Sequence, residues 1–348
     1  MPKITVIIPA YNVEDYIHKS LDSIVNQTFD DYEVLVVNDG SADRTAEIID
    51  EYAAKYPFIQ AIHQTNAGQS AARNKAIRLS KADYIALLDS DDWVEPNFLE
   101  ALYAKAIETN ADLTFCGYNM IEANTGNVIP CTFPLKGYPE SFLFKDYPNA
   151  LIDNVSIAWN KLYKKEMFFK HDIFFAEGKK YEDLLSGTLM VLNANIIAQV
   201  SLPLYNYLIH REGATTRLYD FNKFSNIVEH LDFLEKYVQK NNASLTAIFN
   251  TFKKQYIYFF LPEYCIRTED TSERKKQIDL YSKTYGAVQK FNEIANFETI
   301  HFRFSKYTKK IQFLLKIFYK NKKLFNRILS IINKTKSIFI GKDGKWKI

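Results

Sequence analysis

The sequence predicts an α/β fold, a mostly parallel sheet flanked by helices, followed by a C-terminal helical region. Three observations predict it. In the first hundred residues, short continuously apolar runs alternate with segments of helical periodicity, the pattern of strands buried on both faces and joined by crossover helices. Polar turns rich in Asp, Asn and Gly follow three of those runs. From about Asp220 the pattern becomes helical and rich in Lys, Phe, Tyr and Ile.

Taken in order, ITVIIPAY reads as a strand and Val13 to Thr28 as a helix; YEVLVVND is a strand and Asp43 to Lys55 a helix. FIQAIHQ is a strand, Gly68 to Leu79 a helix, and DYIALLD a strand. Pro96 to Asn110 then reads as a helix, LTFCGYNMI as a strand and residues 125 to 150 as loop-rich, with several Pro, Gly and aromatic residues. Residues 180 to 193 read as a helix and AQVSLPLYNYLIH as an extended segment.

At 348 residues, 47% hydrophobic and 24% charged, the chain has material for a large core and for two domains. Cys116, Cys131 and Cys265 lie far apart without a CxxC pair, which argues against a disulfide framework or a thiolate zinc site and fits a reducing cytosol. The apolar run at the N-terminus is too short for a signal sequence, and no later segment has eighteen uninterrupted apolar residues, so a cytoplasmic, soluble or peripheral protein is expected. The net charge of +3 hides an asymmetry. Residues 305 to 348 hold 13 Lys and Arg against Asp343 alone, +12, which leaves −9 on the rest.

In parallel sheets ligands bind beyond the carboxyl ends of the strands. There the sequence places Pro9-Ala10-Tyr11-Asn12, Asn38-Asp39-Gly40-Ser41 and Asp89 to Asp92. A carboxylate cluster at the mouth of a buried strand needs an Arg, a helix N-terminus or a metal ion to balance it. Asp89-Ser90-Asp91 reads as an extended segment with two carboxylates on the same side, where both can face one ligand, and oxygen-only ligands favour Mg²⁺ or Mn²⁺. The alternative is that one Asp caps a helix and another pairs with Arg. In VVNDGSADRT, Ser41 can cap the next helix and Asp43 can favour its dipole, while Asp39 is placed to accept N–H groups from a base. Neither GxGxxG nor GxxxxGK[ST] occurs, so phosphates are not expected on a glycine-rich loop, which leaves the metal to hold them.

The blocks IIPAYN, NDGSADRT, NAGQSAARN and LDSDDW, in this order and spacing, resemble family 2 glycosyltransferases of the glycosyltransferase-A fold. AWNKLYKKE and EGKKYEDLLSGTLM resemble the acceptor half of bacterial polysaccharide and teichoic-acid glycosyltransferases, extending the likeness to about residue 217. The resemblance implies a catalytic domain over 1–217, with the nucleotide-sugar half in 1–100 and the acceptor half in 101–217. A helical region over 218–304 and a basic tail over 305–348 follow it. It implies that Tyr11 stacks on the nucleobase, that Asp39 reads it, that Arg73 supports the nucleotide, and that Asp89 and Asp91 hold ribose and metal-bound diphosphate. Pro9, Ser90 and Arg211 are the further donor-binding candidates, and His210 is a candidate metal or phosphate ligand. Leu208 stands where many relatives carry Arg, and a lone His is often structural.

The implied reaction is an inverting, metal-dependent transfer of a sugar from a nucleotide-sugar, by family habit a UDP-sugar, to a hydroxyl of a glycan, lipid-linked or cell-surface polymer acceptor. An acceptor hydroxyl needs a base. Asp183, with Glu182 as runner-up or acceptor ligand, sits at a predicted helix start where the dipole keeps a carboxylate ionised. Trp159 either stacks on a sugar or packs in the core. A sugar nucleotidyltransferase would be expected to carry a basic glycine-rich N-terminal loop, which IIPAYNVED lacks; an inactive scaffold of a glycan-assembly complex is the non-enzymatic alternative. No nucleic-acid partner is expected.

In the tail, Ile311, Leu314, Leu315 and Phe318, and again Phe325, Ile328, Leu329 and Ile332, fall at helical spacing among lysines. Such helices lie on an anionic membrane, here the inner face of the cell membrane, or pack against the protein's own core or a second copy in a homo-oligomer.

Overall fold

The computed structural model describes residues 1–132, 135–153, 156–209 and 221–253, with Tyr256, Ser272 and Lys276. It opens with β1 (Ile4–Ala10), α1 (Ile17–Val25), β2 (Tyr32–Asn38), α2 (Thr45–Lys55), β3 (Ile59–His63), α3 (Gln69–Leu79) and β4 (Tyr84–Leu87). These four strands are parallel, in the order β3-β2-β1-β4. The cause is visible in β1, whose seven residues are all buried because neighbouring strands and helices cover both faces. α1 buries Ile17, Ser20, Leu21 and Ile24, the i, i+3, i+4, i+7 stripe of a helix lying on a sheet. It starts later than its periodicity suggests because Val13 O accepts the N–H groups of Tyr16 and Ile17, at 2.9 and 3.0 Å, closing a turn first.

Then come β5 (Trp93–Val94), α4 (Phe98–Thr109), β6 (Leu113–Glu122), β7 (Val128–Thr132), β8 (Ser141–Leu143), α5 (Ala150–Asp153), β9 (Lys161–Lys164), α6 (Glu166–Lys170), α7 (Glu182–Asn193), β10 (Ile196–Ile209) and α8 (Phe221–Asn241). The sheet continues from β4 as β9-β6-β10-β5. Here it turns mixed: β9 is antiparallel to β4 and β6, β6 and β10 are parallel, and β5 is antiparallel to β10. The parallel character read from the sequence therefore belongs to the first half, and the insertion of β9 between β4 and β6 joins the halves into one sheet. The stretch read as loop-rich holds β7 and β8, short strands on β6 and β10. β10 shifts register around Pro203, which cannot donate to the ladder.

The chain divides into two compact units, Met1–Arg217 with Glu229–Asn250, and Leu218–Val228 with Thr251–Ile348. In the first, the Glu229–Asn250 segment is fixed by Lys179–Glu229 at 2.7 Å, by His230 Nε2 against Lys180 O at 3.1 Å, and by Tyr237 Oη donating to Asn193 Oδ1 at 2.8 Å. In the second, the rings of Phe252 and Tyr256 lie 4.8 Å apart. The tail over 305–348 lies outside the described residues. No helix among the described residues is long and apolar enough to cross a membrane.

Candidate active site

The rim beyond β1 and β2 is stitched by short polar bonds. Asn12 N–H donates to Ser41 Oγ (3.0 Å), Ala42 N–H to Asn12 Oδ1 (2.8 Å), Val13 N–H to Thr45 Oγ1 (2.9 Å) and Glu14 N–H to Asp43 Oδ2 (3.1 Å). Ser41 is thus no helix cap. α2 begins only at Thr45, whose N–H is taken by Asp43 Oδ1 at 3.0 Å, and this leaves Ser41 to join the two loops. Pro9 is buried within β1, whereas Tyr11 is 50% exposed on the rim, a ring available to stack on a flat ligand.

Asp39 is buried and anchored, its N–H bound to Ala10 O at 2.9 Å. Its Oδ1 accepts from Gln64 Nε2 and Ala67 N, and its Oδ2 from Gly68 N, each at 2.8 Å. The carboxylate therefore organises the 64–68 loop, and acceptor capacity remains for a ligand N–H. Gly40 makes this approach possible. Its φ is +73°, and a Cβ there would meet Asn66 N at 2.8 Å.

The three aspartates after β4 have separate roles. β4 ends at Leu87, and Asp92 N–H bonds to Asp89 O at 3.0 Å, so residues 89–92 form a turn rather than the extended segment assumed from the DxD spacing. Asp92, 1% exposed, accepts from Tyr205 Oη and from Leu208 N–H, both at 2.8 Å, and so fastens β10 to the turn. Burial, then the charges of Asp91 and Asp89, push its carboxyl well above the usual range. Tyr205 Oη also accepts from Asp89 N at 3.2 Å. Asp89 pairs with Arg73, Oδ1 to Nη2 at 2.6 Å, and takes Gln69 Nε2 at 3.1 Å on the same oxygen. Ser90 is buried in the turn and Asp91 is partly exposed.

Arg73 is the joint of the site. Its side chain is 3% exposed, and its Nη1 donates to Glu182 Oε1 at 2.9 Å while Nη2 holds Asp89. Its guanidinium lies 5.0 Å from the Phe175 ring, and its Nε is buried without a hydrogen-bond partner. Burial works against the charge, and Asp89 and Glu182 outweigh it, holding the group protonated. The neighbouring Asn74 ties in the segment before α7, donating to Phe175 O and Glu177 Oε1 and accepting from Phe175 N–H.

α7 starts at Glu182, after Tyr181 in a left-handed conformation. Glu182 is committed to Arg73, which leaves Asp183 as the acid beside the bridge. The helix dipole does not keep Asp183 strongly acidic: burial and then Glu182 raise its carboxyl to about 7, against the pull of Arg73. A carboxylate near neutral suits a general base better than a strongly acidic one.

Trp159 is core. It is 7% exposed, stacked on Tyr205 at 4.4 Å and 16°, with Tyr118 at 4.9 Å and Tyr207 at 5.0 Å. Sequence reasoning missed Asp92 and Tyr205 as the clamp on β10, and Gln69 on Asp89; only Asp92 had a signal, its place in the LDSDDW block. His210 and Arg211 lie outside the described residues.

Among the described residues no group of three or more His, Cys, Asp or Glu is arranged to hold a metal ion. The donor set nevertheless fits a hard divalent cation bound jointly with a diphosphate, as Mg²⁺ usually is: partly exposed Asp91, and Asp89 with only Oδ1 engaged by hydrogen bonds.

Comparison with known proteins identifies the family. The sequence model for Glycosyl transferase family 2 matches residues 5–169. The Bacillus subtilis protein EpsH, described as a glycosyltransferase, is 32% identical over 248 residues, covering 69% of this chain and 70% of EpsH. Glycosyltransferase GlyA of Streptococcus pneumoniae is 36% identical over 224 residues, 62% of this chain but only 32% of that longer protein. The crystal structure of Staphylococcus aureus TarS 1–349 in complex with UDP-GlcNAc superposes with a TM-score of 0.68 at 21% identity, covering 96% of this chain and 92% of that one. TarS is named a poly(ribitol-phosphate) beta-N-acetylglucosaminyltransferase, and as a sequence it is 30% identical over 221 residues, 61% of this chain and 36% of TarS. The fold is that of the glycosyltransferase-A enzymes, and the chain is a glycosyltransferase belonging to glycosyl transferase family 2.

Proposed function

We propose that the protein transfers a sugar, with inversion, from a UDP-sugar to a hydroxyl of a glycan or cell-surface polymer, in a metal-dependent reaction. The observation that carries the proposal is the Asp89–Arg73–Glu182 bridge, at 2.6 and 2.9 Å, which brings the turn after β4 and the acidic start of α7 into one site. Asp183 takes the proton of the acceptor hydroxyl as its oxygen attacks the anomeric carbon. The bond from that carbon to the diphosphate oxygen breaks on the opposite face, and the nucleoside diphosphate leaves with the electron pair. Tyr11 and Asp39 hold the base, and Arg73 keeps donor-side and acceptor-side carboxylates in register. A divalent cation, Mn²⁺ or Mg²⁺, held by Asp91 and Asp89 would supply Lewis-acid stabilisation of the leaving diphosphate. UDP-GlcNAc in the TarS structure and the poly(ribitol-phosphate) in that enzyme's name support a UDP-sugar donor and a polymer acceptor.

The test is a panel of sugar nucleotides with Mn²⁺ or Mg²⁺, scored for donor hydrolysis and thermal stabilisation, beside the Asp183→Asn variant. UDP-sugars should stand out, and the variant should bind UDP while losing transfer by about 10²–10⁴-fold. A flat response across the UDP-sugars refutes the donor, and lost UDP binding in the variant refutes the base.

The tail pattern supports a peripheral place on the inner face of an anionic membrane, where polymer acceptors are often attached. The full chain should then sediment with anionic vesicles and release in salt, and a truncation after Phe304 should not sediment; binding by neither form refutes this.

A further inference from the structure

The mechanism leaves a fully buried cation unused. Lys161, the lysine of AWNKLY at the start of β9, is 1% exposed. Its Nζ donates to Ile157 O at 2.6 Å, Asn160 Oδ1 at 2.9 Å and Trp159 O at 3.3 Å, and lies 4.8 Å from the Phe115 ring centre. Among the described residues these acceptors are all oxygens and suit an ammonium; a neutral amine would turn its lone pair toward one of them. A methionine would fill the same space without the penalty of burying a charge, so the ammonium needs a reason.

The turn it gathers supplies one. Asn160 is fully buried with φ +56°, and locks to β6 through Nδ2 to Cys116 O at 2.6 Å and Cys116 N–H to Asn160 O at 3.0 Å. The upstream end of the turn supports α7. Ser156 Oγ and Thr188 Oγ1 lie 3.1 Å apart, and a Cβ on Gly187 would come within 3.2 Å of Ser156 O, so the helix rests directly on this backbone. The downstream side reaches the donor turn, because Trp159 stacks on Tyr205, whose hydroxyl binds Asp92 and Asp89 N. One buried ammonium thus gathers the segment that supports both the helix of the base and the turn of the donor carboxylates.

We propose that Lys161 is a positioning residue for glycosyl transfer, fixing the 156–160 turn on which α7, the helix of Asp183, rests. The inference rests on Asp183 being the base. Burial pulls the ammonium down to about 7, and Cys116 and Asp183 act in the opposite direction. The other ionisable groups acting on Asp183 are Glu182 on its own helix, Arg73 on α3 and Asp89 after β4, and its charge in turn raises the phenols of Tyr163 on β9 and Tyr207 on β10.

The test uses the full chain with Lys161→Met, and Lys161→Gln as the variant that keeps two donors without the charge should Met fail to fold. KM for the donor should stay within about twofold, and kcat should fall about tenfold, as expected when a base is held less well. The acid limb of kcat against pH should move up by on the order of half a unit to one, because an Asp183 that has lost a nearby positive charge ionises at higher pH. A shared loss of stability and kcat with an unmoved limb reduces Lys161 to a purely structural residue and overturns the inference, as does wild-type kcat. Asp183→Asn, run alongside, separates the premise: if it retains transfer, the base assignment has failed and the inference falls with it.

Discussion

Arg73 is where the site is most exposed to a single substitution. Its guanidinium is buried, and it makes charge-assisted bonds of 2.6 Å to Asp89 and 2.9 Å to Glu182, carboxylates that are themselves 19% and 14% exposed. Arg73→Ala leaves two largely buried negative charges without their cation, and breaking a buried pair in this way costs about 3–5 kcal/mol. Arg73→Lys keeps the charge, but an ammonium lacks the planar fork that spans both partners. It should lose one charge-assisted bond, about 1.5–3 kcal/mol. In urea, with a slope of about 3 kcal/mol/M, the midpoints should fall by about 1–1.7 M for Ala and about 0.5–1 M for Lys. Transfer should fall in both variants, since Glu182 loses its tether and carries the start of α7 with it. An unfolding midpoint equal to wild type in Arg73→Ala, or wild-type transfer in Arg73→Lys, would refute the idea that this bridge joins the two halves.

Asp91→Asn should abolish metal-stimulated activity while the fold persists, because the amide keeps the shape and loses the charge a cation needs; wild-type stimulation in a metal titration rules Asp91 out as a ligand. Asp183→Asn should be more stable than wild type at pH 8, by on the order of 1–3 kcal/mol in urea, with the advantage vanishing toward pH 4. The sign follows from a carboxyl raised to about 7 in the fold: the unfolded chain releases that proton from about pH 4 upward, so ionisation costs stability as pH rises. Equal stability at both pH values removes the case for a strained base. Gly40→Ala should destabilise by about 1–3 kcal/mol and weaken UDP binding in calorimetry, because its Cβ would meet Asn66 N at 2.8 Å with φ at +73°.

What was legible in the sequence was what nearest neighbours decide. β1 and β2 announce themselves by unbroken apolar runs, α1 by its stripe, and the rim by polar turns at strand ends. What was not legible depends on distant partners. β9 is four residues flanked by lysines, too short and polar to read as a strand, and it exists because β4 and β6 offer it two edges. Trp159 was undecided until Tyr118, Tyr205 and Tyr207 were seen around it. For Asp183 the helix start gave the wrong local expectation, because the dipole's pull is weaker than burial and an adjacent carboxylate together.

The aspartates after β4 show why residue type alone does not assign a role. Asp89, Asp91 and Asp92 are chemically the same group within four residues, yet a guanidinium takes the first and a phenol and an amide take the last. With Asp92 pushed toward its neutral form, the acids around the joint are Asp89, Asp91, Glu182 and Asp183, and among the described residues Arg73 and the buried Lys161 stand against them. A bare diphosphate would approach this rim against net negative charge, whereas one carrying a divalent cation would not. On the proposed reading that excess of acid would favour a cation-bound nucleotide at the rim, while burial first and Glu182 second raise Asp183 toward the range in which a carboxylate can take a proton.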